Sequence, residues 1–109
     1  MHSIPEGWTD DMRINLPPSC TIDEIVDLVI ANALQGISDE QSEEHLVRAF
    51  GLSAEDAALA RDRTFGGIFR AATGNPLNYP SQEKDPIAWM GLIRAQKDPT
   101  IIKRIYPSS

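Results

Sequence analysis

Between Thr21 and Pro107 the chain carries five separate signals for starting a helix, and their spacing leaves room only for short ones. Thr21-Ile22-Asp23-Glu24 has the form of a capping box: the threonine oxygen accepts from an early amide, and the glutamate reaches back to the cap's own N–H. Ser38-Asp39-Glu40-Gln41 repeats the form, and Ser53-Ala54-Glu55-Asp56 opens a third, longer segment. Asp85-Pro86 and Asp98-Pro99 each set an aspartate before a proline, whose fixed φ and missing N–H suit a first helical position. Gly36, Gly51 and Gly74 stand where helices stop, because glycine enters the left-handed region without a Cβ clash. Pro107 ends the last segment.

Helical spacing of apolar residues fills the intervals. In the first segment Ile22, Ile25, Val26, Val29 and Ala33 recur on one side, and Leu28, Ile30 and Leu34 widen it, so this helix should be buried on most sides. The second offers Leu46, Val47 and Phe50, with Glu40, Glu43 and Glu44 on a solvated face. The third puts Ala57, Ala58, Phe65, Ile68, Phe69 and Ala72 on one stripe, interrupted by Arg61 and followed by Gly66-Gly67 in mid-helix. Residues 73–85 are a loop rich in turn formers. The fourth segment, from Pro86 to about Gln96, is apolar nearly all round (Ile87, Trp89, Met90, Leu92, Ile93), and the last carries Ile101, Ile102 and Ile105. The expectation is an all-α fold, a compact bundle of four to five short helices. Residues 21–109 form its single helical domain, and residues 1–20 an extended N-terminal arm. Within the arm, Met12-Arg13-Ile14-Asn15-Leu16 alternates as a half-buried strand does, until Pro17-Pro18 stops it.

A length of 109 residues with 41% hydrophobic composition suits one core. The single cysteine, Cys20, has no partner for an internal disulfide, which favours a reducing compartment and a cytoplasmic location. Pro5, Gly7, Pro17 and Pro18 break up any secretory leader, and no apolar run is long enough for a membrane span.

The net charge is −6, but unevenly distributed. Residues 1–60 hold twelve acidic and two basic residues, a net of −10; residues 61–109 hold eight basic and four acidic, a net of +4. Either the halves attract each other in the fold, or the acidic half presents a surface to a basic partner. Acidity also speaks against non-specific nucleic-acid binding, which depends on Lys and Arg neutralising phosphates.

No motif for catalysis, a cofactor or a metal emerges. His2 and His45 are far apart, Cys20 has no ligand-type neighbour, and Glu43-Glu44-His45 lacks the second histidine of a metalloprotease helix. The expectation is no cofactor, no metal and, on balance, no enzyme. The segment 44–63 has helix-turn-helix spacing through Val47, Gly51 and Ala57, yet its second helix would present Glu55 and Asp56 to phosphates.

Six residues stand out as binding candidates. Arg61 must find a carboxylate such as Asp23 or Asp27, extend its head to water, or line a pocket for an anion, because a guanidinium cannot shed its charge. Arg63 and Arg70 flank Gly66 and Gly67 at helical spacing. The glycines either admit a close neighbour, such as the small face Ala88, Gly91 and Ala95, or leave a shallow groove between two arginines. Asn75, Asn78 and Tyr79 lie in a loop braced by Pro76 and Pro80, either as a recognition segment or as asparagines satisfying their own backbone.

Together these features suggest a non-catalytic, small acidic interaction protein recognising another protein, inhibitor-like, immunity-like or an accessory subunit, with homodimerisation open. The alternatives are a helix-turn-helix DNA-binding regulator using residues 44–63, and a small-molecule or anion binder or enzyme centred on Arg61.

Overall fold

The caps written into the sequence form as hydrogen bonds in the computed structural model, which describes residues 20–107. Thr21 Oγ1 accepts from the Glu24 amide and Glu24 Oε1 from the Thr21 amide, a complete capping box. Ser38 and Ser53 accept from the Gln41 and Asp56 amides. These caps open α1 (Ile22–Leu34), α2 (Asp39–Phe50) and α3 (Ala54–Thr73). Asp85 caps α4 (Pro86–Lys97) through the Ala88 amide. The last start differs from the expected one: Pro99 is the cap residue of α5 (Thr100–Ile105) and not its first helical residue, and Asp98 accepts from the Thr100 amide and hydroxyl just before it. Gly51 and Gly74 end α2 and α3 in the left-handed conformation, with φ of 72° and 69°. The fold is an all-α bundle, with no strand among the described residues. The strand-like reading of Met12–Leu16 lies outside them.

α1 supplies the centre of the core, with Ile25, Val26 and Val29 fully buried, and Leu46, Leu52, Ile68, Ile87, Leu92 and Ile101 close around it. The buried Asn32 side chain donates to Ser42 Oγ, tying α1 to α2. Surface charge then joins elements distant in sequence. Arg94 of α4 pairs with Asp23 and Asp27 of α1. Arg104 of α5 donates to the Leu34 carbonyl, one of the acceptors that a helix C-terminus leaves open.

The closest contact in the bundle joins α3 to α4. A Cβ built on Gly67 would lie 1.9 Å from the Ala88 carbonyl oxygen, and one on Gly91 would lie 2.6 Å from that of Thr64. These two approaches run in opposite directions along the chain, so the helices are antiparallel. Ala60, Thr64 and Gly67 form the α3 side of the seam and Ala88, Gly91 and Ala95 the α4 side, all buried. Thr64 is accommodated because its hydroxyl donates to the Ala60 carbonyl at 2.8 Å.

This seam corrects the expected apolar stripe of α3. The helix turns Ala57, Ala60, Thr64, Gly67 and Ile68 inward, not Phe69 and Ala72. A phenylalanine ring cannot occupy a space in which backbones nearly touch, so Phe69 is turned outward and is 52% exposed. Its ring meets Tyr106 edge-on at 5.7 Å.

The two adjacent glycines therefore have opposite roles. Gly67→Ala drives a methyl into a backbone carbonyl and should lower stability by about 2 kcal/mol or more. Gly66→Ala meets only the far ends of the Arg70 and Arg63 side chains, at 3.4 and 3.9 Å, and should gain roughly 0.5–1 kcal/mol of helix propensity. Urea unfolding of both variants checks the pair; equal and same-signed effects would contradict the register described above.

Candidate functional site

Gly66 lies on the outer side of α3, where its missing side chain opens a concavity. From the position its Cβ would take, Arg70 Nη1 is 3.4 Å away and Arg63 Nη2 3.9 Å. Arg63, Gly66, Phe69, Arg70, Thr73 and Asn78 line a groove of about 370 Å³. Arg63, Arg70 and Asn78 are thereby brought together. Phe69 and Leu77 are the two large apolar side chains left exposed among the described residues, at 52% and 92%. Phe69 lines the groove, and Leu77 precedes Asn78 in the 3-10 turn Pro76–Asn78.

Arg63 is positioned from behind by Asp85, whose Oδ2 lies 3.5 Å from its Nε. Asp85 is 6% exposed and also caps α4, so a single carboxylate holds both a helix start and a guanidinium. Burial pushes its pKa above the ordinary 3.8, against the opposing pull of Arg63, the Ala88 amide and Arg70. Arg70 is half-buried and has no carboxylate within ion-pair distance among the described residues.

Arg61 belongs to a different cluster. Its Nε donates to Glu43 at 2.7 Å, and its Nη atoms approach Asp39 at 3.4 Å and Asp62 at 3.0 Å. Its guanidinium also lies 6.0 Å from the Phe65 ring centroid. Burial disfavours its charge, but the bond to Glu43 and the fields of Asp62 and Asp39 outweigh burial and raise its pKa above the usual value. The expected partners Asp23 and Asp27 are instead taken by Arg94. Three carboxylates of the chain itself thus surround Arg61.

The loop residues divide. Asn75 accepts from the Leu77 amide with its own side chain and so caps the 3-10 turn, the self-satisfying use of asparagine. Asn78 reaches the groove; Tyr79 is half-buried and not among the residues lining it.

A second groove, of about 460 Å³, lies between α2 and the start of α3, lined by Glu40, Gln41, Glu43, Glu44, Val47 and Ala54. It occupies one side of the helix-turn-helix-like segment. The hairpin forms as the spacing suggests, with Gly51 left-handed and Leu52 buried, but Glu44 and Glu55 are exposed on it. Among the described residues no group of three His, Cys, Asp or Glu side chains is placed to hold a metal. Cys20 is buried, and burial followed by the Glu24 charge raises its pKa, so it is not an activated thiol.

The site thus belongs to a helical bundle whose concavities include a basic groove on α3 and an acidic one on α2. No family model, curated protein or solved structure matches the chain.

Sequence reasoning missed Asp85 as the support of Arg63. It also missed Asp39 and Glu43 as partners of Arg61, although one signal for Glu43 was present. Glu43 and Arg61 are equally spaced on either side of Leu52, in the short connection between the two helices they join.

Two expected outcomes follow from these contacts. For Asp85 the folded pKa exceeds the unfolded one, so its contribution to stability falls as pH rises through the folded pKa. The stability of the wild type relative to Asp85→Asn should therefore increase as acid is added and level off below the ordinary carboxylate value; chemical unfolding at stepped pH measures it. Arg61→Gln leaves Glu43, Asp39 and Asp62 facing one another without their cation and should cost about 1–2 kcal/mol in the same assay. A neutral result would show that solvent screens the cluster completely.

Proposed function

We propose that the chain is a non-catalytic domain that recognises another protein, an accessory or inhibitor-like role, through the Arg63–Arg70 side of α3. The supporting observation is that Phe69, exposed at 52%, lines one groove with two arginines and an asparagine, and that Leu77, the other large apolar side chain exposed among the described residues, directly precedes that asparagine in the 3-10 turn. Interfaces are enriched in aromatic and arginine side chains because both bring large contact area and directed bonding. An apolar rim beside a charged concavity favours an extended partner surface over a small solute.

A second reading, a basic partner at the acidic groove, draws on Glu40 and Glu44 flanking the apolar Val47 and Ala54. It is weakened by the pairing inside the molecule. Asp23, Asp27, Asp39 and Glu43, all from the acidic half, are occupied by Arg61 and Arg94, so much of the charge asymmetry is used within the fold. A DNA-reading role is disfavoured by the exposed Glu55 in the first turn of α3. No helix among the described residues is long and apolar enough to cross a membrane.

A photo-crosslinking residue placed at Leu77, and separately at Glu44, tests the proposal in extracts of the native cells. One discrete heterologous adduct from Leu77 is expected. An adduct from Glu44 alone would transfer docking to the acidic groove, and one of twice the chain's mass would make self-association the function. No protein adduct from either position would sink the recognition role.

A further inference from the structure

We propose that the groove between Arg63 and Arg70 takes a side-chain carboxylate from an acidic, partly apolar segment of the protein partner, whose apolar residues cover Phe69 and Leu77. The inference rests on the recognition role above and adds the partner's chemistry.

The glycine at position 66 lets both guanidiniums border one volume, with nitrogens 3.4 and 3.9 Å from the point a methyl would occupy. The Asp85 carboxylate, 3.5 Å from Arg63 Nε, pairs with that guanidinium, so ordering it costs less on binding than ordering an unrestrained side chain. Arg70, half-buried and without a carboxylate in reach among the described residues, presents a planar fork that matches a carboxylate in bidentate fashion. Asn78 adds an amide at the rim. Thr73 is occupied, since its hydroxyl donates to the Arg70 carbonyl at 2.7 Å, so the polar contacts on offer are chiefly guanidinium and amide donors.

Two observations select a protein segment among carriers of negative charge. A free inorganic anion would leave Phe69 and Leu77 wet, at 52% and 92% exposure, whereas a peptide bearing an apolar residue beside the carboxylate covers them. A nucleic acid would bring a whole row of phosphates toward a molecule of net charge −6, whereas a single side-chain carboxylate meets only the local pair of arginines.

The test pans the full-length chain against a random displayed peptide library and measures the enriched peptides by fluorescence anisotropy. Arg70→Gln and Gly66→Met are run in parallel, with inorganic phosphate and a short single-stranded RNA as competitors. Enriched peptides should share Asp or Glu beside Leu, Ile or Phe, and their affinity should fall as salt rises. Arg70→Gln should weaken binding by roughly tenfold or more, the loss of one charge-assisted contact. Gly66→Met fills the concavity and should weaken binding similarly while leaving the helical circular dichroism spectrum and the melting temperature intact, since methionine is a better helix former than glycine. The inference is overturned by enriched peptides lacking a carboxylate, by no enrichment, or by undiminished binding to a folded Arg70→Gln or Gly66→Met. Displacement of the peptides by phosphate at comparable concentration would overturn it too. Carboxylate-free peptides that still lose affinity in Leu77→Ser would remove the carboxylate and keep the recognition role; preferential binding of the RNA would remove both.

Discussion

The near-contact of α3 and α4 backbones governs the arrangement of everything else. Where a Cβ on Gly67 would fall 1.9 Å from the Ala88 oxygen, no side chain fits, and the rotation of a 20-residue helix about its own axis is thereby set. Interior packing is dense enough that such a seam has few alternatives. Once Ala60, Thr64 and Gly67 face α4, geometry places Arg63, Gly66 and Arg70 away from the seam and turns Phe69 outward against Tyr106. Core packing thus fixes which face of α3 carries the groove, through a seam that leaves no room for a side chain at Gly67. The same register brings Asp85 at the start of α4 beside Arg63.

Charge does a different job at the other end of α3. Arg61 gathers carboxylates from α2 and its own helix, and Arg94 gathers two from α1. Each such bridge in isolation, partly exposed, stabilises weakly. Their organisational effect is larger: the basic second half of the chain is paired with the acidic first half, α3 with α2 and α4 with α1. The uneven charge distribution therefore reports in part on how the fold closes, and only the remainder is available for choosing partners.

Helix boundaries were legible because caps act locally. Thr21 with Glu24, Ser38, Ser53 and Asp85 form bonds to amides within three residues, so sequence proximity suffices. The inward face of α3 was not legible, because hydrophobicity ranks Phe69 above Gly67 while the approach of α4 ranks them in reverse. Periodicity counts apolar side chains; it does not count the absence of one. Arg61 illustrates the intermediate case. Its need for carboxylates followed from its fixed charge, but their identity needed the hairpin about Leu52, and Asp23 and Asp27 were lost to Arg94 through a contact spanning most of the chain. Of the candidate residues, Arg63 and Arg70 were visible at helical spacing, whereas the contribution of Asp85 required the α3–α4 register.

Gly66 is the residue that packing leaves unexplained. Gly67 and Gly91 are required by neighbouring backbones, and Gly51 and Gly74 by positive φ. Gly66 has neither reason: it sits in the interior of a helix, and the atom nearest its missing Cβ is the movable end of an arginine. A glycine at such a position costs about 1 kcal/mol of helix stability relative to alanine. Stability alone would favour a side chain there, and the one thing a side chain would remove is the space shared by the Arg63 and Arg70 guanidiniums. On the proposed reading, the use of Gly66 lies on the outside of the molecule, in an opening through which a partner approaches the helix.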